Sequence, residues 1–108
     1  MVKANFSKEL NKTLSDYIKA LHKHYKVDYI ILFGSFASGN QGEDSDIDVA
    51  VVATDVNNSY YDRLQMMELR RNLDIRIEPH PINTADFIAD ANPFIQEIKN
   101  TGIQIYAA

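Results

Sequence analysis

Three features of this 108-residue chain predict an α/β (α+β) fold, a small mixed β-sheet with helices packed on it. Apolar residues recur at helical spacing along the N-terminal stretch. Two short apolar runs, Ile30-Ile31-Leu32-Phe33 and Ile47 to Val52, each meet a polar segment at one end. A third segment, Leu73 to Glu78, alternates apolar and polar side chains with the period of a strand. Helical and strand patterns interleave as α-β-α-β-α-β-α, an order that lays helices on a sheet.

Each element has its own warrant. Phe6, Leu10, Leu14, Tyr17, Ile18, Leu21 and Tyr25 form one stripe, so residues 7–25 read as an amphipathic helix capped by Asn5 or Ser7. Asp28 to Phe33 is the first strand. Residues 35–39 begin a short helix, and residues 39–45 form a polar loop punctuated by Gly39 and Gly42. Asp46 to Ala53 is the second strand. Tyr60 to Asn72, with Leu64, Met67 and Leu69 among charges, is a helix. Leu73 to Glu78 is the third strand, and Pro79 and Pro81 are expected to end it, since proline has no ladder donor. Thr84 is placed to cap a short helix through Phe87 and Ile88. Pro93 is placed to open another with Phe94, Ile95 and Ile98, closed by Gly102. Ile103-Gln104-Ile105 is a short final strand. The helices are expected against one face of the sheet.

Composition narrows the function. The chain is 45% apolar, enough for the core of one domain without staples. It has no cysteine, hence no disulfide framework and no thiolate metal site. No apolar stretch is long enough for a membrane span, and the mixed-charge N-terminus does not read as a signal peptide, so a cytoplasmic location is expected. The net charge of −4 argues against a nucleic-acid partner and a template-gripping polymerase. It favours a small nucleotide and a protein acceptor.

The chemistry concentrates in two motifs. Ser45-Asp46-Ile47-Asp48 puts two carboxylates one residue apart at the mouth of an apolar run. Side chains at i and i+2 of a strand share a face, so Asp46 and Asp48 aim at one point while Ile47 and Val49 aim into the core. Two like charges held that close call for a cation between them, and Mg²⁺ suits hard oxygen ligands. Upstream, a buried strand runs into Gly34-Ser35, a turn that frees backbone N–H groups for phosphate. A lone Asp-x-Asp is common on surfaces, and a lone Gly-Ser is a weaker signal still. Together, in this order and each at a strand end, they point to chemistry on a nucleoside triphosphate.

Gly34-Ser35-Phe36-Ala37-Ser38-Gly39 with Ser45-Asp46-Ile47-Asp48 resembles the signature of the DNA polymerase beta-like nucleotidyltransferase superfamily. The layout resembles its minimal branch, the antitoxin half of two-gene modules whose toxin is a HEPN-domain ribonuclease. The resemblance runs from about Val27 to Ile105, and its motifs do not specify a substrate. It implies that residues 1–108 form one nucleotidyltransferase domain. It further implies a third carboxylate from a neighbouring strand. Glu78 is the expected one, with Asp74 the alternative and Arg76 between them as salt-bridge partner or phosphate contact. The implied reaction is transfer of AMP from ATP, or of another nucleoside monophosphate, to a hydroxyl. Asp46, Asp48 and Glu78 would ligate two Mg²⁺ ions, and Glu78 would take the acceptor proton. Gly34 and Ser35 would hold the terminal phosphates, and Ser45 would bind nucleotide or orient the loop. The chain departs from many relatives at Ser38, where they carry a basic residue; Lys26, Arg63, Arg70 and Arg71 are the candidate replacements.

Other residues have plainer readings. Glu43 and Asp44 read as solvated loop charges. His22 and His24 fall on different faces of a helix and read as solvated. His80, between two prolines, either packs a turn or orients an acid. Met66-Met67 reads as core, and Tyr60-Tyr61 as core or partner packing rather than a base-stacking pair. Two function classes follow. One is an Mg²⁺-dependent, protein adenylyltransferase-like enzyme acting on a HEPN-type helical partner. The other is an antitoxin or regulatory subunit that neutralises its partner by contact. An aminoglycoside nucleotidyltransferase would need a second domain.

Overall fold

The computed structural model describes residues 6–39, 42 and 45–108. The alternative cap Asn5 and the loop charges Glu43 and Asp44 lie outside them. The described elements are α1 (Lys8–His22), β1 (Val27–Phe33), α2 (Ser35–Ser38), β2 (Ile47–Ala53), α3 (Ser59–Leu69), β3 (Ile77–Asn83), α4 (Thr84–Ile88), α5 (Pro93–Thr101) and β4 (Ile103–Ala107). The strands form one four-stranded sheet in the order β3-β2-β1-β4. β1 runs antiparallel to both β2 and β4, while β2 and β3 are parallel, so the sheet is mixed.

The helix ends follow their caps. Ser7 Oγ accepts the Leu10 N–H at 3.0 Å and starts α1, whose stripe Leu10, Leu14, Tyr17, Ile18 and Leu21 is buried. Asn58 caps α3 through the N–H groups of Tyr60 and Tyr61. Asn83, not the predicted Thr84, caps α4; the Thr84 hydroxyl donates instead to Asp28 Oδ2 at 2.6 Å. Asn92 and Pro93 open α5, and Gly102 closes it.

The third strand departs from its expected place. It was predicted over Leu73 to Glu78 with the prolines as terminators, but it begins at Ile77 and runs through Pro79 and Pro81 to Asn83. Its position at the sheet edge explains this. Ile47 N–H donates to Arg76 C=O at 2.8 Å, so even-numbered residues of β3 direct their backbone at β2. Pro79 and Pro81 have the other parity. Their missing N–H groups face the open edge, where no donor is required. The alternating stretch before it is turn, with Ile75 72% exposed. Side chains there satisfy the backbone locally: Asp74 Oδ1 accepts the Arg76 N–H at 3.0 Å, and the Arg70 guanidinium donates to the carbonyls of Ile75 and Ile77.

Helices cover both faces of the sheet, not one. On the first face α1 and α3 close a large cluster that includes Leu14, Tyr17, Leu21, Val49, Val51 and Met66. On the second, α4 and α5 close a smaller one of Ile31, Ala50, Val52, Ile82, Phe87, Ile95 and Ile98. β2 is therefore buried on both sides beyond Asp48, which accounts for its nearly unbroken apolar sequence.

Candidate active site

The N-terminal end of β2 carries the acidic motif. Ile47 and Val49 are fully buried in the larger cluster, and Asp48 is half-buried on the opposite face. Asp46 stands exposed one residue ahead of the strand. Register places Asp48 between Phe33 of β1 and Glu78 of β3. One row across the sheet thus ends a strand at the glycine turn, begins the acidic strand, and sets a second carboxylate beside it.

Gly34 occupies φ 74° and ψ −150°, a backbone conformation open to glycine and strained for side-chain-bearing residues. A Cβ there would lie 2.4 Å from Asp48 Oδ2. Glycine is required both by the turn and by the close approach of the turn to the carboxylate. Ser35 begins α2, and its C=O accepts the Ser38 hydroxyl at 3.2 Å. Ser45 Oγ accepts the Gly42 N–H at 2.7 Å and so shapes the loop ahead of Asp46.

Both in-register acids already have cationic or imidazole partners. Arg63 of α3 lies 3.0 Å from Glu78 Oε1, and Arg70 lies 4.0 Å from Oε2. His80 Nε2 lies 3.3 Å from Asp48 Oδ1. The His80 ring also meets Phe33 and Phe94 edge-on or tilted, at centroid separations of 5.0 and 5.9 Å. Ala50, in register with His80, is small enough to leave room above it for these rings. Among the described residues no three His, Asp or Glu side chains are gathered as a metal site.

Asp74 sits elsewhere. It lies in the turn before β3, and a bidentate bond from Arg76 occupies both its oxygens at 3.1 and 2.9 Å. That hydrogen bonding holds its carboxyl below the usual carboxylate range. Of the candidate cations, Arg63 and Arg70 reach the row of acids, whereas Arg71 pairs with Glu68. His22 and His24 are exposed. Met66 is core, and its carbonyl accepts the buried Tyr17 hydroxyl at 2.7 Å. Tyr60 and Tyr61 are each 67% exposed and so do not belong to the core.

Sequence reasoning did not place Arg63 or commit to His80 as a partner of Asp48. The signal for His80 was its i+2 spacing from Glu78, legible only once the prolines are allowed inside the strand. Arg63 was one of four candidate cations with nothing local to single it out, because its contact depends on how α3 crosses the sheet.

A glycine turn set against a carboxylate, with a second carboxylate on the next strand, defines a protein equipped for chemistry on phosphate esters. The family model "Polymerase beta, Nucleotidyltransferase" matches residues 15–108, and the chain belongs to that family. A Methanocaldococcus jannaschii protein named "Putative protein adenylyltransferase MJ1379" is 42% identical over 77 residues, which cover 62% of this chain and 76% of that one. A chain in the crystal structure of a toxin–antitoxin with AMP-PNP has a TM-score of 0.62 and 26% identity, covering 94% of this chain and 75% of that chain. A chain of the Shewanella oneidensis complex between tri-AMPylated HEPN toxin and MNT antitoxin shares the fold, with a TM-score of 0.61 and 24% identity over 91% of this chain and 72% of that one. No helix among the described residues is long and apolar enough to cross a membrane.

Proposed function

We propose that the chain transfers AMP from ATP to a hydroxyl of a partner protein, as the antitoxin of a cytoplasmic two-component module with a HEPN-type toxin. The observation that carries this reading is the placing of Asp48 in register with Glu78 and against the Gly34 turn. The absent Cβ of Gly34 lets the turn close on Asp48 Oδ2, and Glu78 brings a second carboxylate in register with Asp48. Carboxylate oxygens are the donors Mg²⁺ takes, and Asp46, Asp48 and Glu78, which are not gathered around one point in this structure, are the residues that would hold it; when bound, it would screen the triphosphate charge from the carboxylates.

The residues divide the remaining work. Backbone N–H groups following Gly34, with the Ser35 hydroxyl, bind the terminal phosphates. Ser45 holds the approach to Asp46. The acceptor oxygen bonds to the α-phosphorus as the bond to the bridging oxygen breaks and pyrophosphate leaves. Glu78 is the proton acceptor for the attacking hydroxyl, a role for which it must exchange its bond to Arg63. Arg63 is then free to face the developing charge, in the part of the basic residue that Ser38 replaces.

A second reading has its own observation. Glu78 and Asp48 are already paired with Arg63, Arg70 and His80, as befits a subunit that binds its partner without turnover. Co-expression with the neighbouring gene product, followed by intact-mass measurement, separates the two. Added mass in steps of AMP is the expected result. A stable complex of unchanged mass would favour neutralisation by contact.

A further inference from the structure

One side chain, His80, joins four elements at the acidic end of the sheet. It stands on β3, two residues beyond Glu78. Its ring meets Phe33, the last residue of β1, edge-on at a centroid separation of 5.0 Å, and tilts against Phe94 of α5 at 5.9 Å. Phe33 and Phe94 meet each other edge-on at 5.6 Å, so the three rings close on one another. Phe94 is set there by the start of α5, where Pro93 is the first helical residue and Asn92 Oδ1 accepts the Ile95 N–H at 3.0 Å. The fourth contact is polar: Nε2 lies 3.3 Å from Asp48 Oδ1 on β2. An ionised carboxylate only accepts, so Nε2 is the donor.

This contact confines Asp48 from both sides. Oδ1 is bonded to His80, and Oδ2 lies against the Gly34 turn, where a Cβ would approach it to 2.4 Å. The pair adds little to stability, because its side chains are 26% and 27% exposed and solvent screens their attraction. What the bond supplies is orientation. A carboxylate that turns freely must lose that freedom when it takes up a ligand, and one already fixed has less to lose. Carboxylates that ligate metals characteristically accept such a bond from a neighbouring side chain.

We propose that His80 is a positioning residue: it sets the carboxylate of Asp48 for the cation, and Phe33 and Phe94 set His80. The hydrogen bond acts here, not the charge of the ring. The inference rests on the proposed transfer, in which Asp48 holds Mg²⁺.

The test is Mn²⁺ binding by the whole chain, read from the electron paramagnetic resonance of the free ion, beside AMP transfer and thermal denaturation. His80→Leu fills the space without a donor. It is expected to weaken Mn²⁺ binding about tenfold or more, the scale on which metal sites lose affinity when a ligand loses its hydrogen-bond partner. His80→Gln keeps an N–H and should recover most of that loss. Phe94→Ala alters a residue that is 44% exposed; it leaves the imidazole in place but unsupported, and should weaken binding less than His80→Leu does. The Mn²⁺ concentration for half-maximal transfer should rise in the same order, with melting temperatures little changed. Native Mn²⁺ affinity in folded His80→Leu, or His80→Gln no better than His80→Leu, would overturn the positioning role. Should His80→Leu fail to fold, Phe94→Ala decides, and native affinity in it would overturn the proposal. Mn²⁺ uptake that depends on His80 in a chain that never transfers AMP would overturn the proposed function and leave this role standing. Transfer indifferent to His80 would do the reverse. A native chain that takes up no Mn²⁺ would overturn the acids as cation ligands, and this proposal with them.

Discussion

The two faces of the sheet are built for different ends. The face under α1 and α3 is sealed: Leu14, Tyr17, Leu21, Val49 and Met66 are buried to within 1%. The face under α4 and α5 is thin, because those helices are short and cover only the far part of the strands. At the uncovered end the same strands present Asp48, Glu78 and His80 in place of Ala50, Val52 and Ile82. Stability resides mainly in the first face and chemistry in the second. β2 serves both because successive side chains alternate between them.

The comparison is tested most severely by removing the acids. Asp46→Asn with Asp48→Asn should abolish AMP transfer while leaving the melting temperature within a few degrees, since neither side chain lies in the core. A transfer assay beside thermal denaturation checks this; unfolding of the variant would show that the thin face also holds the fold together. Leu14→Ala should do the opposite, with a loss of about 2–5 kcal/mol in denaturant unfolding and normal transfer per folded molecule. Gly34→Ala falls between them. The new Cβ must push the Asp48 carboxylate aside, so transfer should fall about a hundredfold, the scale set by a 1 Å misplacement. The strained φ should cost about 1–2 kcal/mol in addition.

Glu78→Gln should lower transfer far more than Asp74→Asn, because Glu78 is in register with Asp48 and Asp74 is bound to Arg76. The reverse order in single-turnover rates would move the third acid to Asp74. The smallest effect is one of pH. Burial raises the pKa of Tyr17, and burial followed by the hydrogen bond to Asp62 raises that of Tyr25. Folded values above the unfolded one mean stability that is complete below about pH 10 and lost as the pH rises further. Denaturation between pH 8 and 11 should show this loss, and Tyr17→Phe should flatten it.

How far the sequence discloses the molecule depends on where its signals are local. α1, β1 and β2 were legible because helical and strand periods are written directly in Leu10 to Leu21 and in Ile30 to Val52. β3 was displaced because two cues misled together. Leu73-Asp74-Ile75-Arg76 alternates like a strand but spends its polar groups on turn bonds. Pro79 and Pro81 look like terminators yet sit where the sheet needs no donor. The position of Glu78 survived the error, because it lies in both the predicted and the observed strand. The short helices α4 and α5 were legible, but the face they cover was not, since that depends on the crossing from β3 over the sheet. For the same reason Arg63 and the bare side of Tyr60 could not be read from sequence.

The prolines of β3 have one more consequence. An outermost strand ordinarily offers its free amides as a template on which a foreign strand can grow. Here two successive outward positions have no amide hydrogen to give. Strand addition along this edge, whether by a partner or by another copy in the course of aggregation, would find its hydrogen-bond ladder interrupted twice within a few residues. What docks beside the acids must therefore bring side chains rather than backbone.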